Sequence, residues 1–288
     1  MAQILGGKET AREILEDVKA RCGELKAKGV TPCLAVVLVG SDPASAIYVG
    51  QKEKACAEAG FRSFRHVLPA EVSERDLFDL IDRLNGDPSV HGILVQLPLP
   101  KGLSADRVIG RIDPGKDVDG FHPLNAGLLA SGLPGVVPCT PKGVMRILER
   151  YEIPLAGRKA VVVGRSNIVG KPMAQLLLAA DMTVTVCHSR TPDLGKETRE
   201  ADVLVVAAGK PGIVDGSMVK EGAVVVDVGI HRTEAGIVGD VKFGEAAEKA
   251  SWITPVPGGV GPLTIAMLME NTLELAERTL ARPVVGGF

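Results

Sequence analysis

The sequence predicts an α/β protein made of two α/β domains with a cleft between them, the C-terminal one a doubly wound parallel sheet. Two observations carry this reading. Short apolar runs rich in Val, Ile and Leu alternate with stretches of helical spacing, the pattern of parallel strands joined by helices. The alternation occurs twice, before residue 98 and after residue 160, separated by a Gly- and Pro-rich stretch of little periodicity. At 288 residues the chain is long for one core and comfortable for two. Hydrophobic residues make up 45% and aromatic residues only 3%, so Val, Ile, Leu and Ala must fill the cores.

The elements follow in order. Ala11, Ile14, Leu15, Val18, Cys22 and Leu25 give residues 9–28 one apolar helical face, closed by Gly29. Leu34 to Val39 reads as a strand, ending at the turn Gly40-Ser41-Asp42-Pro43. A helix over about 45–59 and a strand near 61–67 come next. Ser73-Glu74-Arg75-Asp76 resembles a helix-capping start, and Leu77, Leu80, Ile81 and Leu84 share the face behind it. His91 to Leu97 is a buried strand stopped by Pro98.

Residues 98–139 read as a long irregular connection, and such segments in compact proteins usually carry function. Thr140-Pro141 opens a helix with Val144, Ile147, Leu148 and Tyr151 facing inward. Strands are expected at 160–163, 183–187, 203–207 and 223–228, and a last helix from near Leu263 to about Leu280. The expected division is therefore 1–139 plus the C-terminal helical segment 263–288 as one domain, and 140–262 as the other.

A net charge of −2, with no basic run and no long apolar stretch, argues against bulk nucleic-acid binding and against membrane association. The N-terminus Met1-Ala2-Gln3-Ile4-Leu5-Gly6 lacks the basic, apolar and cleavage regions of a signal peptide, so a cytoplasmic protein is expected. The five cysteines (Cys22, Cys33, Cys56, Cys139, Cys187) are scattered and form no C-x-x-C, which favours free thiols and no metal site.

The segment Val161-Val162-Val163-Gly164-Arg165-Ser166-Asn167-Ile168-Val169-Gly170-Lys171-Pro172 reads as a buried strand, a glycine turn and the opening of a helix. This is the layout of a Rossmann-like dinucleotide-binding unit, in which a helix N-terminus faces a pyrophosphate. It departs from G-x-G-x-x-G: Ser166 replaces the second glycine, Arg165 sits inside the turn, and Gly170 comes one position late. The bland alternative is an ordinary strand–turn–helix. The next strand ends in His188-Ser189-Arg190-Thr191, without the carboxylate that holds the ribose hydroxyls of NAD. A hydroxyl and a cation there suit a ribose bearing an extra phosphate, with Arg165 and Arg190 as its partners, so NADP is the expected cofactor. Read alone, Arg190 is equally a solvated loop residue. Gly209 and the pair Gly229-Ile230 follow two further apolar runs and permit close backbone approach on the nicotinamide side.

Tyr48 and Lys52, four residues apart on an expected helix, share one face and can address one ligand. A half-buried tyrosine beside a lysine stem is the plain alternative. Gln96 ends a buried strand, where its amide needs a structural or ligand partner. Asp117-Val118-Asp119 admits an Asx-turn, a clamp for a planar donor pair or a metal site, the last ranked lowest because no further ligand stands nearby.

Taken in order, Tyr48-Val49-Gly50-Gln51-Lys52, Val95-Gln96-Leu97-Pro98-Leu99-Pro100, Lys116-Asp117-Val118-Asp119-Gly120-Phe121-His122-Pro123, the Gly164–Pro172 turn and Pro257-Gly258-Gly259-Val260-Gly261-Pro262 resemble one family. It is the bifunctional methylenetetrahydrofolate dehydrogenase/methenyltetrahydrofolate cyclohydrolase family, and the resemblance covers essentially the whole chain. The resemblance implies tetrahydrofolate derivatives as substrates, NADP as hydride acceptor, a homodimer, and hydrolysis of the methenyl product to 10-formyltetrahydrofolate. It implies Lys52 as the central acid/base group, Tyr48 stacking on the folate, Gln96 positioning Lys52 or polarising the bridge, and Asp119 receiving the pterin N–H donors. Ser45 would line the same pocket, and the loop with Gly258, Gly259 and Pro262 would close over the folate. Departures are small: Leu263 stands where the family commonly has Met, and His231 where Asn is more usual. A dehydrogenase lacking the hydrolytic activity, or a non-catalytic NADP-binding protein, would show gaps among the substrate residues, and none is found.

Overall fold

A computed structural model describes residues 1–234 and 236–281. The end of the expected C-terminal segment, 282–288, lies outside the described residues. In chain order the first elements are β1 (Gln3–Ile4), α1 (Gly7–Ala27), β2 (Cys33–Val39), α2 (Pro43–Ala59), β3 (Arg62–Leu68), α3 (Glu74–Gly86) and β4 (Gly92–Val95). Then come α4 (Ala105–Ile109), α5 (Pro123–Ala130), α6 (Cys139–Arg150), β5 (Lys159–Val163), α7 (Gly170–Ala179) and β6 (Thr183–Cys187). The chain continues through α8 (Leu194–Thr198), β7 (Val203–Val206), β8 (Val224–Asp227), β9 (His231–Thr233), β10 (Gly236–Val238), α9 (Phe243–Ala247), β11 (Trp252–Ile253) and α10 (Val260–Ala281).

These elements form two compact units: Met1–Arg12 with Leu128–Thr264, and Glu13–Gly127 with the residues from Ile265 onward. The second holds a three-stranded parallel sheet in the order β3-β2-β4. Its central strand is buried at all seven positions, which is why it reads as an unbroken apolar run. Helix α3 closes on this sheet through Leu77, Leu80, Ile81 and Leu84. Its start is fixed as expected: the Ser73 hydroxyl accepts from the Asp76 N–H at 3.1 Å, a cap worth about 1 kcal/mol.

The other unit is built on a six-stranded parallel sheet in the order β1-β11-β8-β7-β5-β6. Strands β7 and β8 are buried throughout, and Val161, Val163, Leu204, Val206, Val225 and Ile253 anchor one core against the sheet.

Three features differ from the sequence reading. Residues 1–12 and 128–139 group with the six-stranded sheet and not with the first domain. For the N-terminus the cause is β1, which pairs in parallel with β11 (Gln3↔Trp252, Ile4↔Ile253). The connection 98–139 is not wholly irregular. It holds α4, capped by Ser104, and α5, which opens on Pro123. Helix α10 begins at Val260, earlier than Leu263, so Gly261 and Pro262 sit in its first turn. Proline is tolerated there because first-turn N–H groups have no intrahelical acceptor. Among the described residues no helix is long and apolar enough to cross a membrane.

Candidate active site

In the three-stranded unit the predicted substrate residues come from three places. Helix α2 carries Ser45, Tyr48 and Lys52. Its N-terminus is set by Asp42, which accepts from the Ser45 N–H at 2.7 Å, with Pro43 at the first helical position. Ser45 is buried and its hydroxyl is also held by Asp42, so it fixes the start of α2. One turn on, Tyr48 is 42% exposed, which leaves its ring available to a ligand. Lys54 points away, paired at 3.8 Å with Glu58.

Gln96 follows β4 directly and donates its backbone N–H to Val37 O, which extends the sheet by one residue. Its side chain donates Nε2–H to Leu97 O at 2.7 Å, so Oε1 is turned to accept from Lys52 Nζ at 2.9 Å. The amide orientation is therefore fixed by the backbone, and the ammonium is fixed by the amide.

Asp119 completes the group. Burial pushes its carboxyl up to about 6, against the pull of the nearby Lys52 ammonium; the Asp117 carboxylate adds to the rise. Asp117 is structural: it is buried and accepts from His122 N–H at 2.8 Å and Asn125 Nδ2 at 2.9 Å. Sequence alone left these two acids undivided.

The backbone at 116–118 is held from several sides. Lys116 O accepts from Ile93 N–H at 2.7 Å, and Lys116 Nζ donates to Leu84 O and Asp87 O at the end of α3. The buried Asn271 of α10 donates to Val118 O at 2.9 Å. Gly92 must lack a side chain, since a Cβ there would lie 2.3 Å from Val118 Cγ1. Asn271 carries no signal in the sequence because its partner lies 153 residues away, and Asn125 carries none although its partner Asp117 is only eight residues away.

In the six-stranded unit the chain leaves β5 toward β6 on one side and reaches β7 on the other, so the sheet order reverses beside β5. Ligands of open α/β sheets bind beyond the strand ends at such a point. Gly164 stands there with φ +128°, and a Cβ on it would lie 2.2 Å from Ala207 O, so only glycine fits. Gly170 is as constrained, with Gly164 O at 2.2 Å from its would-be Cβ. Ser166 has a role that sequence did not reveal: its hydroxyl accepts from Val169 N–H and Gly170 N–H at 3.1 and 3.3 Å, tying the turn to the start of α7.

Strand β6 runs in register with β5, pairing Val163 with Cys187, so Arg165 and the His188–Thr191 turn leave adjacent strand ends. That turn is ordered by His188 N–H to Thr191 Oγ1 at 2.9 Å and Arg190 N–H to His188 Nδ1 at 3.1 Å. Arg165, Ser189 and Arg190 are exposed. A turn that only glycine permits, two exposed arginines and no acid at 188–191 fit a dinucleotide with a phosphorylated ribose.

Gly209 and Gly229 differ from each other. Gly209 has φ +66° and open space where a Cβ would stand, as a ligand-facing turn requires. At Gly229 the close approach is internal: a Cβ would lie 2.4 Å from Asp240 Oδ1. Ile230 is 46% exposed. Gly258, with φ +106°, and Gly259 form the turn before α10, and Pro262 lies in its first turn. Among the described residues no cluster of three His, Cys, Asp or Glu side chains is placed to hold a metal ion.

Sheet order and glycine turn give the six-stranded unit the layout of the dinucleotide-binding α/β proteins. Comparison with known proteins decides which kind. The chain belongs to the tetrahydrofolate dehydrogenase/cyclohydrolase family, whose catalytic-domain model matches residues 5–119 and whose NAD(P)-binding-domain model matches residues 138–280. It is 58% identical over 278 residues to the bifunctional protein FolD of Moorella thermoacetica, covering 96% of this chain and 99% of that one. Bordetella petrii FolD is 59% identical over 279 residues, with 96% and 95% covered. Among solved structures, Campylobacter jejuni FolD, a methylenetetrahydrofolate dehydrogenase/cyclohydrolase, superposes with a TM-score of 0.96 at 53% identity, over 97% of this chain and 100% of that one. The Trypanosoma brucei enzyme, complexed with NADP and an inhibitor, gives 0.93 at 39% identity over 98% and 99%.

Proposed function

We propose that Lys52, Gln96 and Asp119 are the chemical centre of a bifunctional one-carbon folate enzyme. The enzyme oxidises methylenetetrahydrofolate to methenyltetrahydrofolate with NADP, then hydrolyses that product to 10-formyltetrahydrofolate. The observation that carries the residue assignment is the 2.9 Å contact from Lys52 Nζ to Gln96 Oε1, with Asp119 beside the same ammonium.

Hydrolysis needs a group that takes a proton from the attacking water and returns one to the opening ring. Lys52 performs both, its neutral amine taking the water proton and the ammonium so formed returning it, held in place by an acceptor that cannot itself donate from Oε1. Asp119 receives the paired N–H donors of the pterin, for which two carboxylate oxygens are the matching geometry. Tyr48 stacks on the folate and Ser45 sets the helix that presents both Tyr48 and Lys52. Gly258, Gly259 and Pro262 are assigned to folate contacts on the resemblance alone.

NADP, when bound, supplies the hydride acceptor. The Gly164 turn would lie against its pyrophosphate, and Arg165, Ser166, Ser189 and Arg190 would address the phosphorylated ribose. Gly209, Gly229 and Ile230 border the nicotinamide. In domain terms, the unit that carries Lys52, Gln96 and Asp119 is the folate-binding region and the six-stranded unit is the NADP-binding region.

The protein works in the cytoplasm as a homodimer. Support for the dimer is β3, an edge strand of its sheet with Val67 56% exposed, and a free edge invites pairing with a second chain. Sedimentation equilibrium should give twice the monomer mass; a monomer at micromolar concentration would remove the dimer from the proposal.

The test of function is cofactor reduction followed spectroscopically with methylenetetrahydrofolate and either NADP or NAD. Reduction of NADP is expected, and its absence sinks the reading. Arg165→Ala should raise KM for NADP by about tenfold or more, the worth of one charge-assisted hydrogen bond, with much less effect on NAD. Equal weakening of both would disprove the phosphate contact.

A further inference from the structure

Two buried carboxylates of the six-stranded unit have no part in the chemistry above, yet they sit behind the strand ends where the cofactor is placed. Strand β7 ends at Val206 and the chain leaves it as Ala207-Ala208-Gly209; β8 ends at Asp227 and leaves as Val228-Gly229-Ile230. Neither exit is helix or strand, so something else must fix its course.

Asp240 does so from outside both segments. It is fully buried. Its Oδ2 accepts from Ala208 N–H at 2.6 Å and Gly209 N–H at 2.8 Å. Its Oδ1 lies 2.7 Å from His231 Nε2, in the strand that follows the second exit. One carboxylate therefore ties the β7 exit to the β8 exit.

Asp227 anchors the anchor. It accepts from Asp240 N–H, Val241 N–H and Gly229 N–H, each at 2.9 Å. Glycines make this closeness possible. A Cβ on Gly229 would lie 2.4 Å from Asp240 Oδ1, and one on Gly239 would lie against the Asp227 carboxylate. The hairpin of β9 and β10 pairs His231 with Val238, which returns the chain to Asp240.

We propose that Asp240, braced by His231 and Asp227, is a positioning residue for the dinucleotide. It touches neither substrate nor cofactor; it fixes the Ala208-Gly209 turn against the Gly229-Ile230 segment. The proposal rests on the NADP reading above. With the Ala208 and Gly209 N–H groups committed to Asp240, the turn keeps its open side at Gly209 for the ligand. Hydride transfer is sensitive to such placement, because a shift of about 1 Å between donor and acceptor can cost about a hundredfold in rate.

The bifunctional enzyme contains its own control, since hydrolysis of methenyltetrahydrofolate consumes no dinucleotide. In Asp240→Asn the amide accepts on one side only: Oδ1 keeps the Ala208 and Gly209 N–H groups without the carboxylate charge, and Nδ2 donates to His231 in its other tautomer. Loss of a charged acceptor should raise the NADP Kd, measured by titration without folate, by about tenfold. Dehydrogenase kcat/KM should fall by about a hundredfold. The hydrolysis rate and Tm should stay near wild type. His231→Asn, which keeps a side-chain N–H, should bind NADP nearly as tightly as wild type, whereas His231→Phe should not. If Asp240→Asn does not fold, this His231 pair carries the test. An unchanged NADP Kd, or parallel loss of both activities with Tm, would overturn the proposal. Wild-type protein that neither binds nor reduces NADP would overturn the cofactor reading instead.

Discussion

Lys52→Met is expected to slow methenyltetrahydrofolate hydrolysis by about a thousandfold, within the range lost when a positioned acid/base group is removed. Methionine keeps the unbranched stem and removes the proton-carrying nitrogen, so the change isolates the chemistry. In the folded protein the amine donates to Gln96 Oε1 at 2.9 Å and stands near the Asp119 carboxyl. Both partners are anchored independently of Lys52, Gln96 by its bond to Leu97 O and the 116–118 backbone by Asn271 and Ile93. The vacancy should therefore not collapse the site. The measurement is the loss of methenyltetrahydrofolate absorbance with wild type and variant at matched folate saturation. A variant hydrolysing at the wild-type rate would remove Lys52 from the mechanism. A rise in KM with kcat unchanged would make it a binding residue only.

What could be read in the sequence follows from how local each signal is. The strand β2 is legible because burial on both faces writes an unbroken apolar run from Leu34 to Val39. Helix α3 is legible because cap and apolar stripe fall within one window. The Gly164–Gly170 turn is legible because its steric demand falls on neighbouring residues. Strands β1 and β11 have two residues each and exist through pairing between Gln3 and Trp252, which no window contains. Asp240 stayed hidden for a related reason: two of its partners are backbone N–H groups at residues 208 and 209, and a backbone group leaves no mark in a sequence. The same holds for Asn271 and Val118 O. At the site itself, the residue types that do chemistry were visible through resemblance, but the separation of Asp117 from Asp119 required the hydrogen bonds of Asn125 and His122.

Asp119→Asn is expected to make the protein more stable and a poorer enzyme. The carboxyl is raised from 3.8 to about 6 chiefly by burial. Below the unfolded value it is neutral in both states and contributes nothing to the balance. Above about 6 it is charged in both, and the folded state then bears the full cost of burying that charge, at most about 3 kcal/mol at 1.36 kcal/mol per unit. Stability therefore falls as pH rises from about 4 to 6, opposite to the behaviour of an ion-paired aspartate. Asparagine does not titrate, so the variant should melt higher at pH 7.5 and no higher at pH 3.5. The attraction of the Lys52 ammonium is already contained in that net rise to about 6. Activity should move the other way. A carboxylate accepting two pterin N–H donors is replaced by a group with one acceptor, and KM for the folate should rise by about a hundredfold. In wild type the same KM should climb as pH falls through about 6, where the carboxyl takes up its proton, while the variant stays flat over that range. Thermal melts at both pH values, with folate KM followed against pH, separate the two effects. A variant that melts lower at pH 7.5 and keeps its KM would make Asp119 a structural acid and leave the pterin without its acceptor.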